Sequence, residues 1–360
     1  MRVVSIGAGY FSKFHVEAWR RLKQVELVAI CDFDIEKATK LAEEYDVPHT
    51  FTSFEEALKH IDFDIVDVIT PPATHLDLCR KIAKAGKHII CQKPLAPTYE
   101  EAAQLINEMN ASNVRFMVHE NFRFQPWYRK IKELIDEEAI GSEIFSISHH
   151  MRMGDGWPQD AYLARQPYFR TMPRLLIFET GIHFIDVFRY LLGDVKSVFA
   201  KLRTLNPNIV GEDSGIVFFD FVNGSQAVLN ANRYNEVETD NPRYTFGEMR
   251  IDGNGGTLRL DIRGDIFIKP LGQPESQISY HHEHRNFSGD CVYYTQQHFI
   301  ECLVNNEEFE NTASQYLKNL QIQEAIYESN VLSLPVDLKT DLKLADFGMV
   351  VSKGAIEVSK

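Results

Sequence analysis

Near its amino terminus the chain reads Val3-Val4-Ser5-Ile6-Gly7-Ala8-Gly9-Tyr10-Phe11-Ser12, an apolar run that breaks into a glycine pattern. Gly7 permits a tight turn after a strand. Gly9 leaves room for a pyrophosphate to approach the backbone at a helix N-terminus. The third position needs only a small residue for helix–sheet packing, which Ser12 supplies. Asp32 follows the next apolar run, Glu26–Cys31, at the separation of about 20 residues this motif requires. An acidic side chain there accepts hydrogen bonds from ribose hydroxyls and repels a 2′-phosphate. Gly7, Gly9, Tyr10, Phe11, Ser12 and Asp32 are therefore expected to bind a dinucleotide, NAD in preference to NADP.

Outward from this motif, short apolar runs recur at Val3–Ile6, Glu26–Cys31, Ile65–Ile69, His88–Cys91 and Val114–Val118. Between them lie segments of helical period: Phe14–Leu22, Ile35–Tyr45, Phe54–Leu58, His75–Ala85 and Tyr99–Met109. Strands apolar on both faces and joined by helices predict an α/β domain with a doubly wound parallel sheet. After Asn121 the rhythm changes. Helices are expected at Trp127–Glu137, Phe178–Leu191, Tyr294–Val304 and Ala313–Leu332. Alternating segments predict strands at Glu143–Arg152, Val195–Leu202, Gly215–Phe221, Gln226–Arg233, Tyr244–Asp252, Thr257–Ile262 and Asp265–Lys269. Asn223-Gly224 reads as a type I′ hairpin turn, and Asn254-Gly255-Gly256 and Arg263-Gly264 as two more turns. The expected architecture is a cofactor domain over residues 1–120, then an α+β domain over 121–360 with a large open antiparallel sheet.

A chain of 360 residues is too long for one comfortable core, in keeping with two domains. Its 38 Lys and Arg against 51 Asp and Glu give a formal charge of −13, which argues against nucleic acid or an anionic membrane as partner. Five cysteines, none in a CxxC pair, fit a reducing compartment. The amino terminus runs straight into a strand with no leader pattern, and charges interrupt the most apolar long stretch, Leu175–Leu192. A cytoplasmic protein is expected.

Two further motifs fall at strand C-termini, where open α/β sheets place their ligands: Thr70-Pro71-Pro72-Ala73-Thr74-His75 and Cys91-Gln92-Lys93-Pro94. Lys93 reads either as a solvated surface residue or as a catalytic or orienting cation. In Glu179-Thr180-Gly181-Ile182-His183, the acid lies four residues before the imidazole, so helical spacing lets Glu179 fix its tautomer. Asp186 is a second possible partner on the same helix. The histidines of Tyr280-His281-His282-Glu283-His284 would point alternately apart in an extended stretch, so no metal site is expected.

Taken together, GAGYFSKFHVEA, TPPATH, QKP where the family has EKP, and ETGIHFID where it has DxGxHxxD resemble the glucose-fructose oxidoreductase / inositol dehydrogenase / MocA family. DGNGGTLRLD resembles the turn of that family's sheet domain. CQKP, MVHENFR, ARQPYF and ETGIH look most like its D-apiose dehydrogenase branch. The resemblance implies hydride transfer between nicotinamide and a carbinol carbon of a sugar or polyol. It implies that Lys93 hydrogen-bonds the reacting hydroxyl, that His183 is general acid/base, and that Glu179 orients His183. Thr70, Pro71, His75, Gln92, Lys93 and Asn121 would join the cofactor residues. Arg123 would face nicotinamide and substrate, and Arg165 and Tyr168 would line the substrate pocket.

Two departures matter. Gln92 removes a negative charge beside Lys93, which would favour a base role for that lysine, and Glu179 is one methylene longer than the family's Asp. The substrate is expected to be a small neutral pentose, hexose or cyclitol, since no cation cluster for a phosphate stands out in the sequence. A homodimer or homotetramer pairing through the exposed face of the second sheet is expected. Two other activities fit the same motifs: a hydrolase that retains NAD and cleaves glycosides by transient oxidation, and a non-catalytic sensor. An intact Lys93 and His183 argues against the sensor.

Overall fold

The computed structural model describes residues 1–338, so the end of the second expected domain lies outside them. Strands β1 (Arg2–Ile6), β2 (Glu26–Cys31), β3 (His49–Phe51), β4 (Ile65–Val68), β5 (His88–Gln92) and β6 (Phe116–His119) form one parallel sheet. Their spatial order is β3-β2-β1-β4-β5-β6. The order reverses between β1 and β4, and a crevice opens there at the strand C-termini. Helices α1 (Ser12–Arg21), α2 (Ile35–Glu44), α3 (Phe54–His60), α4 (His75–Lys84) and α5 (Tyr99–Asn110) make the crossovers. The starts of α2, α3 and α5 are fixed by Asp34, Ser53 and Thr98, whose side chains accept amides of the first turn. Strand β3 has no sequence signature: three residues, His49-Thr50-Phe51, hold no apolar run.

The second sheet is built from β7 (Ile144–Arg152), β8 (Val195–Arg203), β9 (Ser214–Phe221), β10 (Gln226–Asn232), β11 (Glu248–Gly253), β12 (Gly256–Leu260), β13 (Ile266–Pro270), β14 (Ser276–Ile278) and β15 (Val336–Asp337). Their order is β14-β13-β12-β11-β7-β10-β9-β8-β15. It is mixed, not wholly antiparallel as expected: β7 and β10 run parallel, with Ser146 opposite Gln226. No tight turn joins those two strands. A helix and the β8–β9 pair intervene, and the chain re-enters in the same direction. On β9 the buried Val217, Phe219 and Phe221 alternate with the exposed Ile216 and Phe218. The β9–β10 hairpin falls where Asn223-Gly224 placed it, but its turn is not type I′. Gly224 has φ +90° while Asn223 stays outside the left-handed region, and the Gly224 amide donates to the Phe221 carbonyl. This is the three-residue loop that ends in one left-handed residue.

Helices α6 (Pro126–Asp136) and α7 (Ile182–Leu192) follow β6 and flank β7 in sequence; on α7, Phe188 meets Phe219 edge-on at 5.4 Å. Helix α8 (Cys291–Asn305) returns to the first domain, where Phe299, Ile300 and Cys302 share an apolar cluster with Val3, Trp19, Leu27 and Ile30. Residues beyond 121 therefore help build both cores. Helix α9 (Ala313–Leu332) packs on β8 and on α5, tying the two sheets together. Among the described residues, no helix is long and apolar enough to cross a membrane.

The two glycines of the first turn differ physically. Gly7 has φ +110°, and a Cβ there would lie 2.8 Å from the Ile69 carbonyl oxygen; a Cβ on Gly9 would meet nothing within 4 Å. Gly7→Ala is expected to lower unfolding stability by about 2 kcal/mol, and Gly9→Ala by less than about 0.5 kcal/mol. Urea unfolding midpoints check the difference.

Candidate active site

Three loops at the C-terminal ends of β1, β4 and β5 open on the crevice. In the first, the Gly7 amide donates to the Cys31 carbonyl at 2.7 Å and the Ala8 amide to Asp32 Oδ2 at 2.7 Å. The Asp34 amide holds Oδ1 at 2.9 Å. The carboxylate of Asp32 is thus pinned where the glycine turn begins. Open space beside Gly9, the first turn of α1 and a fixed carboxylate fit a dinucleotide with a free ribose diol. Tyr10 is half-exposed at the rim, and Phe11 packs on Phe14 and Phe287. Ser12 is fully buried, and its Oγ has no partner among the described residues, which suits the packing role of the motif's third position.

In the second loop, Thr70 Oγ1 and Thr74 Oγ1 are hydrogen-bonded at 2.6 Å. His75 does not reach the crevice, contrary to expectation. It is fully buried between the carbonyls of Thr70 (2.8 Å) and Leu95 (3.1 Å), lacing this loop to the next. Burial pushes its pKa below the ordinary value.

In the third loop, Gln92 Oε1 accepts from the Lys93 amide at 2.7 Å, which fixes the orientation of the side-chain amide. Its Nε2 then donates to His15 Nε2 at 2.9 Å, so the His15 proton sits on Nδ1, 2.8 Å from Asp67 Oδ2. Trp19 Nε1 donates to the same Asp67 oxygen at 2.6 Å. Gln92 thus ties the backbone of the lysine loop to His15.

Lys93 Nζ donates to the Glu179 carbonyl at 2.9 Å and to Glu179 Oε2 at 3.1 Å. The negative charge missing at Gln92 is supplied by Glu179. That acid does not orient His183, because the helix ahead of it is not regular. Residues Ile177–Gly181 form a π-helical turn, with the Ile182 amide donating to the Ile177 carbonyl five residues back. The wider turn rotates Glu179 off the His183 face, where a 3.6-residue period had placed it.

His183 Nδ1 is instead 2.5 Å from Oε1 of Glu120, and its ring stacks on Phe122 with centroids 3.9 Å apart. Burial lowers its pKa below the ordinary 6.5, while the Glu120 carboxylate pulls the other way. Nε2 has no protein hydrogen bond among the described residues. Asp186, the second candidate partner, is fully committed elsewhere. It accepts Arg123 Nε at 2.7 Å, Arg123 Nη2 at 2.6 Å and Asn319 Nδ2 at 2.7 Å. Arg123 is thus engaged by Asp186, by the Glu310 carbonyl and by the Tyr190 ring, 5.3 Å from its centroid. Asn121 is buried beside Glu120. The signal for Glu120 was present in His119-Glu120-Asn121: a carboxylate directly after an apolar strand that ends at the crevice.

Arg165 lies over the Tyr10 ring, 5.8 Å from its centroid, and 3.6 Å from Asp155. Tyr168 is exposed, its hydroxyl accepting from Gln166 Nε2. Arg233 and Arg243 converge on Asp155 as well, a cluster of cations that the sequence did not reveal.

The fold and these loops define a nicotinamide-dependent oxidoreductase acting on CH–OH groups. Residues 1–120 match the model of an oxidoreductase family with an NAD-binding Rossmann fold, and residues 128–259 match the GFO/IDH/MocA C-terminal domain. The chain belongs to the GFO/IDH/MocA family. It is 30% identical to a D-apiose dehydrogenase of Paraburkholderia graminis, over 98% of this chain and 93% of the relative. An inositol 2-dehydrogenase of Rhizobium meliloti is 30% identical over 73% of this chain and 76% of its own. An oxidoreductase from Agrobacterium radiobacter, solved with NAD+, L-tartaric acid and magnesium, superposes with a TM-score of 0.85 at 27% identity, over 94% of this chain and 98% of its own.

Because Arg123 and Asp186 are both buried, removing one partner strands the other charge. Asp186→Ala is expected to cost about 3–5 kcal/mol. Calorimetry should show a fall in Tm that saturating NADH does not fully restore.

Proposed function

We propose that the protein oxidises a hydroxyl of a sugar or polyol, with Lys93 and His183 handling the hydroxyl proton. The observation that carries this reading is that the two groups are held by separate carboxylates, Lys93 by Glu179 and His183 by Glu120. The bound dinucleotide supplies the hydride acceptor. Lys93 donates a hydrogen bond to the substrate oxygen and favours its developing negative charge. His183, kept neutral near pH 7 by burial, takes the hydroxyl proton on Nε2. The carbinol carbon loses its hydrogen with both bonding electrons, and a carbonyl forms. Glu120, against Nδ1, stabilises the resulting imidazolium. Family relatives named for D-apiose and inositol support a polyhydroxylated substrate. Asn121 and the rim residues Tyr10 and Thr70 remain as cofactor contacts, with Tyr168 at the substrate side. The exposed face of the second sheet, with Ile216 and Phe218, is the proposed subunit contact. A screen of aldoses and polyols with NAD, followed at 340 nm, tests the activity. NAD that stays bound through dialysis with no net absorbance change would mark the glycoside-cleaving alternative.

Lys93→Ala and His183→Ala should each lose about 10²-fold or more in kcat, with little change in NADH binding by fluorescence. Proton uptake by His183 needs the neutral ring, so the acidic limb of kcat/KM should lie below pH 6.5. Glu120→Gln removes the group that raises that pKa, so the limb should move further down. A limb that moves with Asp186→Asn and stays fixed with Glu120→Gln would contradict the assignment. For the cofactor, NAD should exceed NADP by about tenfold or more in kcat/KM, and Asp32→Ala should narrow the gap.

A further inference from the structure

We infer that the substrate carries a carboxylate, held by Arg165 and Arg243 at the end of the molecule remote from the reacting hydroxyl. The inference rests on the preceding assignment of that hydroxyl to Lys93 and His183. Three guanidinium groups meet on one oxygen: Asp155 Oδ2 lies 2.6 Å from Arg233, 2.9 Å from Arg243 and 3.6 Å from Arg165. The other oxygen of Asp155 is buried with no partner. One carboxylate cannot neutralise three cations. Among the described residues no other carboxylate pairs with any of the three guanidinium groups.

The three arginines are not equivalent. Arg233 is a fixed pedestal, its side chain 4% exposed and its donors spent on Asp155, Tyr162 and Thr180. Arg165 and Arg243 keep about a quarter of their surface open, at 27% and 26%. Arg165 makes the longest of the three ion pairs, at 3.6 Å. Burial, and next the charge of Arg243, hold its pKa below the ordinary arginine value. An anion placed there would relieve that repulsion and gain planar, two-pronged hydrogen bonds.

The position ties the cluster to the chemistry. Thr180, which accepts from Arg233, directly follows Glu179, the partner of Lys93. Arg165 covers Tyr10, which directly follows Gly9. The cluster therefore lies between the dinucleotide loop and the Lys93 pair. With Arg165 as the least committed of the three guanidiniums, a monoanion fits better than a phosphate dianion. A polyhydroxy acid, aldonic or uronic, is the matching chemical class, in place of the neutral molecule expected from sequence.

The test uses the full chain with NADH bound, titrated calorimetrically with aldonic and uronic acids of four to six carbons, the matching neutral sugars, and D-glucose 6-phosphate. At least one acid should bind about tenfold or more tighter than its neutral counterpart. Arg165→Gln and Arg243→Gln should each remove most of that difference, and Arg243→Gln should leave the affinity for NADH unchanged. Three results would overturn the carboxylate site: neutral sugars bound as well as every acid, the phosphate bound more tightly, or Arg243→Gln weakening NADH itself. NAD reduction by the same compounds separates the two ideas. Acids that bind through Arg165 but are never oxidised would defeat the dehydrogenase reading alone. Oxidation of neutral sugars, with no acid bound, would defeat the carboxylate alone.

Discussion

The buried pair between Arg123 and Asp186 fixes how the two halves of the molecule meet. Arg123 leaves the end of β6, the last strand of the parallel sheet, and Asp186 sits one turn beyond His183 on α7. Their two hydrogen bonds, with Asn319 from α9 as a third, set the rotation and the height of α7 against the mouth of the crevice. Only at that setting does His183 meet Glu120 and stack on Phe122. Both members are buried, and the geometry of the site depends on both.

The site is also an exercise in hiding charge. Glu120 is fully buried, and its Oε2 has no partner, so its favourable contacts are the imidazole and the Phe122 amide. Lys93 is nearly enclosed and leans on Glu179. Two acid–base pairs share one low-polarity space without sharing a partner. Behind them the His15–Asp67 pair, joined through Gln92, holds the backbone of the lysine loop in place. An amide suits that post. With a neutral side chain at position 92, His15 can keep one proton directed at Asp67 and leave its other nitrogen to accept.

What could be read in advance was local. The glycine turn, Asp32 and the five apolar strands each announce themselves within ten residues or so, because turn chemistry and apolar periodicity are short-range. Helix α9 spans Ala313–Leu332, where it was expected, and in the structure Thr312 caps its first turn. Whatever depended on distant segments was hidden. Strand β3 owes its existence to a neighbour that is already in place. The parallel pairing of β7 with β10, and the return of α8 to the first core, are choices made by tertiary packing. Glu120 was overlooked beside Asn121 because its partner is 63 residues away. Helical spacing pairs Glu179 with His183, but the turn between them is π-helical, and in the structure the carboxylate meets Lys93 instead.

That π-helical turn opens the helix with a wider ring than an α-turn closes. Its consequence is a separation of two variables. The residue that accompanies the lysine and the residue that accompanies the histidine lie on different elements, so a substitution at one need not disturb the other. A change at position 179 alters the surroundings of the lysine, while those of the histidine, anchored at position 120, stay as they were.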